Sequence, residues 1–295
     1  MFNRKFRASK PPTFNILTVG NHIKRMRYVA FIDTLGFKQR ITKISHEEAV
    51  EVIRQFNQSI YNIWRDMGLD RDETIRGRTF SDSVIVHSQD DSKEELEKII
   101  KFLINIYKES IINCDLPLRG GLANGSFDDI QAIEFDNLQK GLLVGTAFID
   151  AYLLESDNGI KGSKLLFGQE INLKIERQLS GFETKKVKVD PNGRTIYELK
   201  WGDLIYLTES NYEALNKFIE LGSKSKWLDH YFGTLETFLI KESEENKQEI
   251  YVRIIEKLKA DYKYNDLDNF LENYLKSESA TYTKRSFLKF LREKI

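Results

Sequence analysis

A single cysteine, Cys114, stands in 295 residues. That excludes an internal disulfide, argues against a cysteine-built zinc site, and suits a reduced, buried thiol in a cytosolic protein. Charge is not in excess of either sign: 45 Lys and Arg face 45 Asp and Glu. No overall field therefore draws the chain to nucleic acid or to an anionic membrane, and any such site has to be local. No apolar run approaches the length of a membrane span, and the opening MFNRKFRASKPPTF has none of the apolar core of a signal peptide. Internal repeats, low-complexity tracts and nucleic-acid-binding motifs are missing too. The expectation is a cytoplasmic protein with neither a membrane nor a stable nucleic-acid partner, and its 41% hydrophobic content supports a proper core.

What is present centres on YVAFIDTLGF, Tyr28 to Phe37. Tyr28 to Ile32 is a near-continuous apolar run that suits a strand buried in mid-sheet. Asp33 sits at its end. A carboxylate there costs desolvation energy unless it caps a turn or meets a cation, and a divalent metal is one such cation. Gly36 beyond it lets backbone N–H groups approach a phosphate.

Residues 1–24, with Arg4, Lys5, Arg7, Lys10 and Pro11-Pro12, read as a basic arm. Ser45 and Glu48 form a capping-box pattern ahead of a helix with Ala49, Val52, Ile53, Phe56, Ile60, Ile63 and Trp64 on one stripe, ended by Gly68. Thr74 to Ser88 reads as a hairpin with Ser81 and Asp82 at its turn. A second amphipathic helix follows from Ser92 through Tyr107. Leu116 to Phe127 is a strand whose Gly120, Gly121 and Gly125 mark a bulge or the close approach of another body. A short loop bearing Lys140 leads to a helix from Gly145 to Ser156. Leu165 to Gly168 and a hairpin pattern around Pro191-Asn192-Gly193 add strands. Helical spacing then covers Tyr212 to Leu221, Trp227 to Ile240, Ile250 to Leu258, Leu267 to Leu275 and Ser286 to Leu291. The division expected is an arm at 1–24, a domain at 25–208 and a helical extension at 209–295.

Strand, helix, hairpin, helix, strand is a βαββαβ plan with carboxylates at the end of its first strand and at its hairpin turn. In detail YVAFIDTLGF resembles the first metal motif of class III nucleotide cyclases, RTFSDSVIVHS their second metal hairpin, and LRGGLANG their Arg-x-Gly strand. With GTAFIDAYLLE, whose Tyr152 and Glu155 match an AYxLE signature, the resemblance covers about residues 27 to 156 and is strongest to the bacterial Pycsar pyrimidine cyclases of antiphage defence. It implies an α+β class III cyclase core, a ferredoxin- or palm-like antiparallel βαββαβ sheet, with a helical C-terminal extension. It implies a pyrimidine nucleoside triphosphate, UTP or CTP, cyclised to its 3′,5′-monophosphate with release of pyrophosphate. Two Mg2+ or Mn2+ ions would be held by Asp33, Asp82 and the carbonyl of Thr34, and the phosphates would be received by the turn of Leu35, Gly36 and Phe37. Arg78, four residues before Asp82, takes the base-reading position, and Tyr152 the opposite wall of a site built between two subunits of a homodimer.

The departures matter as much. Where purine cyclases carry an Asn and, four residues later, an Arg, this chain has Ile149 and Leu153. Either Arg119 or Lys140 supplies the missing charge, or the chain is a silent nucleotide-binding or scaffolding module. Arg119 also reads as a strand-end residue paired with an acid, and Arg78 as a surface arginine paired with Glu73 or another acid. A dinucleotide-forming palm is disfavoured by the absence of a GGDEF signature and of a basic stripe.

Overall fold

The computed structural model describes residues 25–131, 141–156, 159–190, 192–202, 228–239 and 243–261. The basic arm, Lys140 and the helices expected at 212–221, 267–275 and 286–291 lie outside the described residues. The order is β1 (Met26–Thr34), α1 (Phe37–Ile41), α2 (His46–Asp66), β2 (Ile75–Phe80), β3 (Ser83–Ser88), α3 (Lys93–Cys114), β4 (Leu118–Ser126), β5 (Asp128–Gln131), β6 (Gly141–Val144) and α4 (Thr146–Ser156). It continues with β7 (Leu165–Gly168), α5 (Gln169–Gln178), β8 (Thr184–Val189), β9 (Thr195–Leu199), α6 (Leu228–Leu239) and α7 (Glu244–Asp261).

Strands β2-β3-β1-β4-β7-β9-β8 form one sheet, and β5 and β6 pair as a separate ribbon. Each of β2, β3, β1 and β4 runs antiparallel to its neighbour, the arrangement of a βαββαβ core, and the fold class is α+β. Strand β7 joins β4 in parallel, because the chain crosses back through the ribbon and α4 before re-entering the sheet.

Period-2 alternation sorts the strands onto two faces. Tyr28, Ala30, Ile32, Val84, Val86 and Leu122 point to the main core, where Phe56 and Ile60 of α2 and Leu96, Ile99, Leu103 and Tyr107 of α3 cover them. The capping box that starts α2 is formed in both directions, Ser45 N–H to Glu48 at 2.8 Å and Glu48 N–H to the Ser45 hydroxyl at 3.2 Å. The other face carries Val29, Phe31, Asp33, Ser83, Ile85, His87 and Arg119. Over part of it lies α4, with Ala147 against Val29 and Phe127 and Phe148 and Tyr152 edge-on to Phe31.

Of the two readings of the β4 glycines, close approach is the one realised, since the β1–β4 register runs unbroken from Met26↔Ser126 to Thr34↔Leu118. A Cβ on Gly121 would lie 2.1 Å from the Ala151 carbonyl oxygen, and one on Gly125 2.6 Å from the Thr146 hydroxyl. Bare backbone at these two positions lets α4 rest directly on the sheet.

Helix α6 closes the far end of the same core through Phe232, Leu235 and Phe238, with Phe238 edge-on to Trp201 at 5.1 Å. Beside it Lys164 and Glu198, both almost wholly buried, pair at 2.6 Å, and Thr237 of α6 donates its hydroxyl to the second Glu198 oxygen. Two charges removed from water need this satisfaction: breaking one partner of such a pair costs about 3–5 kcal/mol.

Candidate active site

Asp33 is the next-to-last residue of β1, flanked across the sheet by Ser83 on one side and Arg119 on the other. Ser83 donates its hydroxyl to Asp33 Oδ1 at 2.8 Å. The β2–β3 turn consists of Ser81 and Asp82 alone, and Ser81 takes a left-handed φ of 55°, a costly conformation for a residue with a Cβ. Thr34 ties that turn to β1 by donating its hydroxyl to the Asp82 carbonyl at 3.0 Å. The two aspartates, separated in the sequence by the helices α1 and α2 and the strand β2, are thus neighbours at one end of the sheet.

Burial is the main cause that raises the Asp33 pKa above the ordinary carboxylate value, and the negative charge of Asp82 adds to it; the Ser83 hydrogen bond and the Arg119 charge act the other way. Arg119 Nη2 stands 3.9 Å from Asp33 Oδ2, while its Nε is committed to Glu155 of α4. The arginine therefore offsets two acids incompletely. Two carboxylates short of positive charge fit a divalent cation. Among the described residues no group of three or more His, Cys, Asp and Glu side chains converges, and a pair such as Asp33 and Asp82 has the number of carboxylates from which Mg2+ is ordinarily held, with water and phosphate oxygens filling the other positions.

Glu155 is the residue of this site that the sequence marked only as part of a helix signature. Its side chain is 3% exposed, and desolvation outweighs the attraction of Arg119, pushing its carboxyl up to about 7. The folded chain then holds a proton that the unfolded chain has released above its ordinary value of 4.5. Stability from this group accordingly falls as pH rises from about 4.5 through 7. Glu155→Gln is expected to flatten that slope, by on the order of 3 kcal/mol between the two ends of the window. Urea midpoints of both proteins at pH 5, 6, 7 and 8 measure it, and parallel profiles would count against the assignment.

The remaining sequence candidates divide. Gly36 has φ 74°, the left-handed region that glycine occupies freely. Leu35 donates its amide to the Pro117 carbonyl at 2.8 Å, and the side chains of Leu35 and Phe37 are buried. Tyr152 is half exposed above Phe31, 5.3 Å between ring centres. Arg78 meets an acid, and that acid is Asp129 of β5: Nε donates to Oδ2 at 3.2 Å and Nη2 to Oδ1. Ile149 and Leu153 are both exposed on α4. Leu153 also lines a cavity of about 790 Å3 between α4, the start of α5 and the β8–β9 hairpin, with Lys188 and Arg194 among the other lining residues.

No family model and no curated protein matches the sequence. Among solved structures, the chain is similar to the adenylyl cyclase CyaB from P. aeruginosa at 17% identity and TM-score 0.46, covering 59% of this chain and 93% of that one. It is similar to a dimeric guanylyl cyclase domain of the RhoGC fusion protein from the aquatic fungus Blastocladiella emersonii at 18% identity and TM-score 0.46, covering 59% and 96%. A third is the guanylate cyclase domain of RhGC from Catenaria anguillulae in complex with GTP, at 14% identity and TM-score 0.47, covering 60% and 96%.

Proposed function

We propose that this chain is a metal-dependent nucleotide cyclase that converts a pyrimidine nucleoside triphosphate to its 3′,5′-cyclic monophosphate and pyrophosphate. The observation that carries the reading is the meeting of Asp33 and Asp82 at one end of an antiparallel βαββαβ sheet, with Asp33 desolvated and its charge incompletely offset. Asp33, Asp82 and the Thr34 carbonyl are the groups to hold Mg2+ or Mn2+. When bound, the two ions lower the pKa of the ribose 3′-hydroxyl and neutralise charge on the departing pyrophosphate. The 3′-oxygen forms its bond to the α-phosphorus as the bond from that phosphorus to the bridging oxygen breaks, and the hydroxyl proton passes to solvent. Ser83 fixes one Asp33 oxygen and Glu155 fixes Arg119, so that the guanidinium stays beside the phosphates, in the role left open by Ile149 and Leu153. The motif resemblance to Pycsar cyclases supports the pyrimidine substrate and a second-messenger role in antiphage defence in the cytoplasm.

The site is completed in a homodimer. Ile130, Leu142 and Val144 share the outer face of the β5–β6 ribbon and are exposed, as are Ile149, Tyr152 and Leu153 on α4 and Phe80 at the hairpin tip. Apolar exposure of this extent beside a candidate site suits a second copy of the chain. One specific observation favours another reading: apolar Ile149 and Leu153 at the positions of the family's Asn and Arg suit a module that binds nucleotide without turnover. Purified protein with each of the four ribonucleoside triphosphates and Mn2+, products resolved by mass, separates the two. A cyclic pyrimidine monophosphate is the expected product; binding with no product at any concentration selects the silent module.

A further inference from the structure

Ser163, in the loop before β7, commits its amide, its carbonyl and its hydroxyl. The amide donates to the Thr234 hydroxyl of α6 at 2.7 Å, the carbonyl accepts from the Trp201 indole at 2.9 Å, and the side-chain hydroxyl donates to the Leu118 carbonyl. All four residues are buried. Thr234 is free to accept because its own proton is given to the His230 carbonyl one turn back, at 2.8 Å. A Cβ on Gly233 would lie 2.2 Å from the Lys161 carbonyl oxygen, so α6 rests backbone against backbone on the chain just ahead of Ser163. The Leu118 carbonyl belongs to the same peptide unit as the Arg119 amide. Gly120 donates its amide to the Lys164 carbonyl at 3.0 Å, and the parallel ladder of β4 with β7 begins only at Gly120↔Leu165. Residues 118 and 120 send their backbone groups to the same side of the strand. The Leu118 carbonyl therefore faces β7 at a point the ladder does not reach, and a side chain meets it instead.

We propose that Thr234 is a positioning residue for the candidate active site: through Ser163 it fixes the peptide plane from which Arg119 reaches Asp33, so that helix α6 sets where the guanidinium stands. For its effect on turnover this rests on the cyclase reading above. The peptide unit is rigid, and the Ser163 hydroxyl holds its outer edge while β1 pairs with the strand on the other side. Without the serine bond the end of β4 is held on the β1 side alone. A small rotation of the plane there is enlarged along the arginine side chain, whose Nη2 stands 3.9 Å from Asp33 Oδ2 and whose Nε pairs with Glu155. The relay is short: Thr234 to Ser163, Ser163 to Leu118, and then the covalent bond to Arg119. Every hydrogen bond in it is buried, where an unmet donor or acceptor is costly and the arrangement is correspondingly well defined.

The test compares the full-length wild-type chain with Thr234→Val and Thr234→Ser, using Mn2+ and whichever ribonucleoside triphosphate the wild type turns over. Thr234→Val is expected to lower kcat by about ten- to a hundredfold, the scale on which displacing a group from a remote position acts, with Mn2+ affinity unchanged. Thr234→Ser keeps the hydroxyl and should restore the rate. In an Arg119→Gln background Thr234→Val should cost nothing further, because its effect passes through that guanidinium. A merely structural role would lower the melting temperature in both backgrounds and leave kcat of the folded chain alone. Unchanged kcat in a folded Thr234→Val, no rescue by serine, or costs that multiply across the cycle each overturns the inference and leaves the cyclase reading standing. Should Thr234→Val fail to fold, Ser163→Ala is read in its place with the same outcomes. If the wild type cyclises no triphosphate, the cyclase reading fails on its own, and the Arg119 side-chain N–H resonance in 15N-labelled protein decides: faster exchange with water in Thr234→Val sustains the inference, and unchanged exchange overturns it.

Discussion

Replacing Asp33 by asparagine is expected to lower cyclisation by at least about a thousandfold, equivalent to about 4 kcal/mol of transition-state stabilisation at 1.36 kcal/mol per tenfold, while the folded chain becomes no less stable. Both halves follow from the same geometry. The carboxylate is desolvated and faces a second acid, so its charge is a cost to the fold and an asset only when a metal ion meets it. Because its folded pKa is raised, the stability it contributes is lost as pH rises through that value. The amide keeps the Ser83 hydrogen bond and removes the charge, so the melting temperature at pH 8 should stay level or rise. Three measurements serve: product by mass, Mn2+ affinity by calorimetry, and thermal melts. Wild-type turnover in Asp33→Asn, or unchanged Mn2+ affinity, would falsify the metal assignment.

The second large effect concerns assembly. Ile149→Asp combined with Leu153→Asp places two charges on the exposed stripe of α4, and each would be buried without a partner in a dimer interface. The variant should sediment as a monomer and lose turnover by at least about a hundredfold, although its Asp33–Asp82 pair is untouched; that loss corresponds to about 2.7 kcal/mol. A mixing experiment separates a shared site from a merely dimeric fold. Asp33→Asn and Tyr152→Ala chains, each inactive alone, should together recover about a quarter of wild-type activity, since half the dimers are mixed and each mixed dimer has one intact site of two. A fully active monomer would end the two-subunit account.

Much of this architecture could be read from local pattern. The apolar run of β1, the Ser45–Glu48 capping box and the 3.6-residue stripes of α2 and α3 are each dictated by residues within a few positions of one another, and each is realised. The carboxylates at Asp33 and Asp82 could be placed at strand ends for the same reason. From the sequence the β5–β6 ribbon reads as a loop, because four residues per strand with Asp128-Asp129 at one end carry too little alternation to stand out. Glu155 reads from the sequence as part of a packing signature, since nothing in its neighbourhood along the chain says that α4 will press it against Arg119.

The sequence by itself determined which residues lie on which face of each strand, because successive side chains point oppositely whatever the strand later pairs with. It also determined that bare backbone recurs along β4. Only the tertiary structure decided that α4 fills that bare backbone, that Glu155 and not solvent faces Arg119, and that the acid opposite Arg78 is Asp129 rather than Glu73. Those pairings join residues 21 to 51 positions apart, and they depend on how the ribbon and α4 fold back over the sheet. Desolvation follows from that packing, and it turns Glu155 from an ordinary surface acid into one that titrates at about 7.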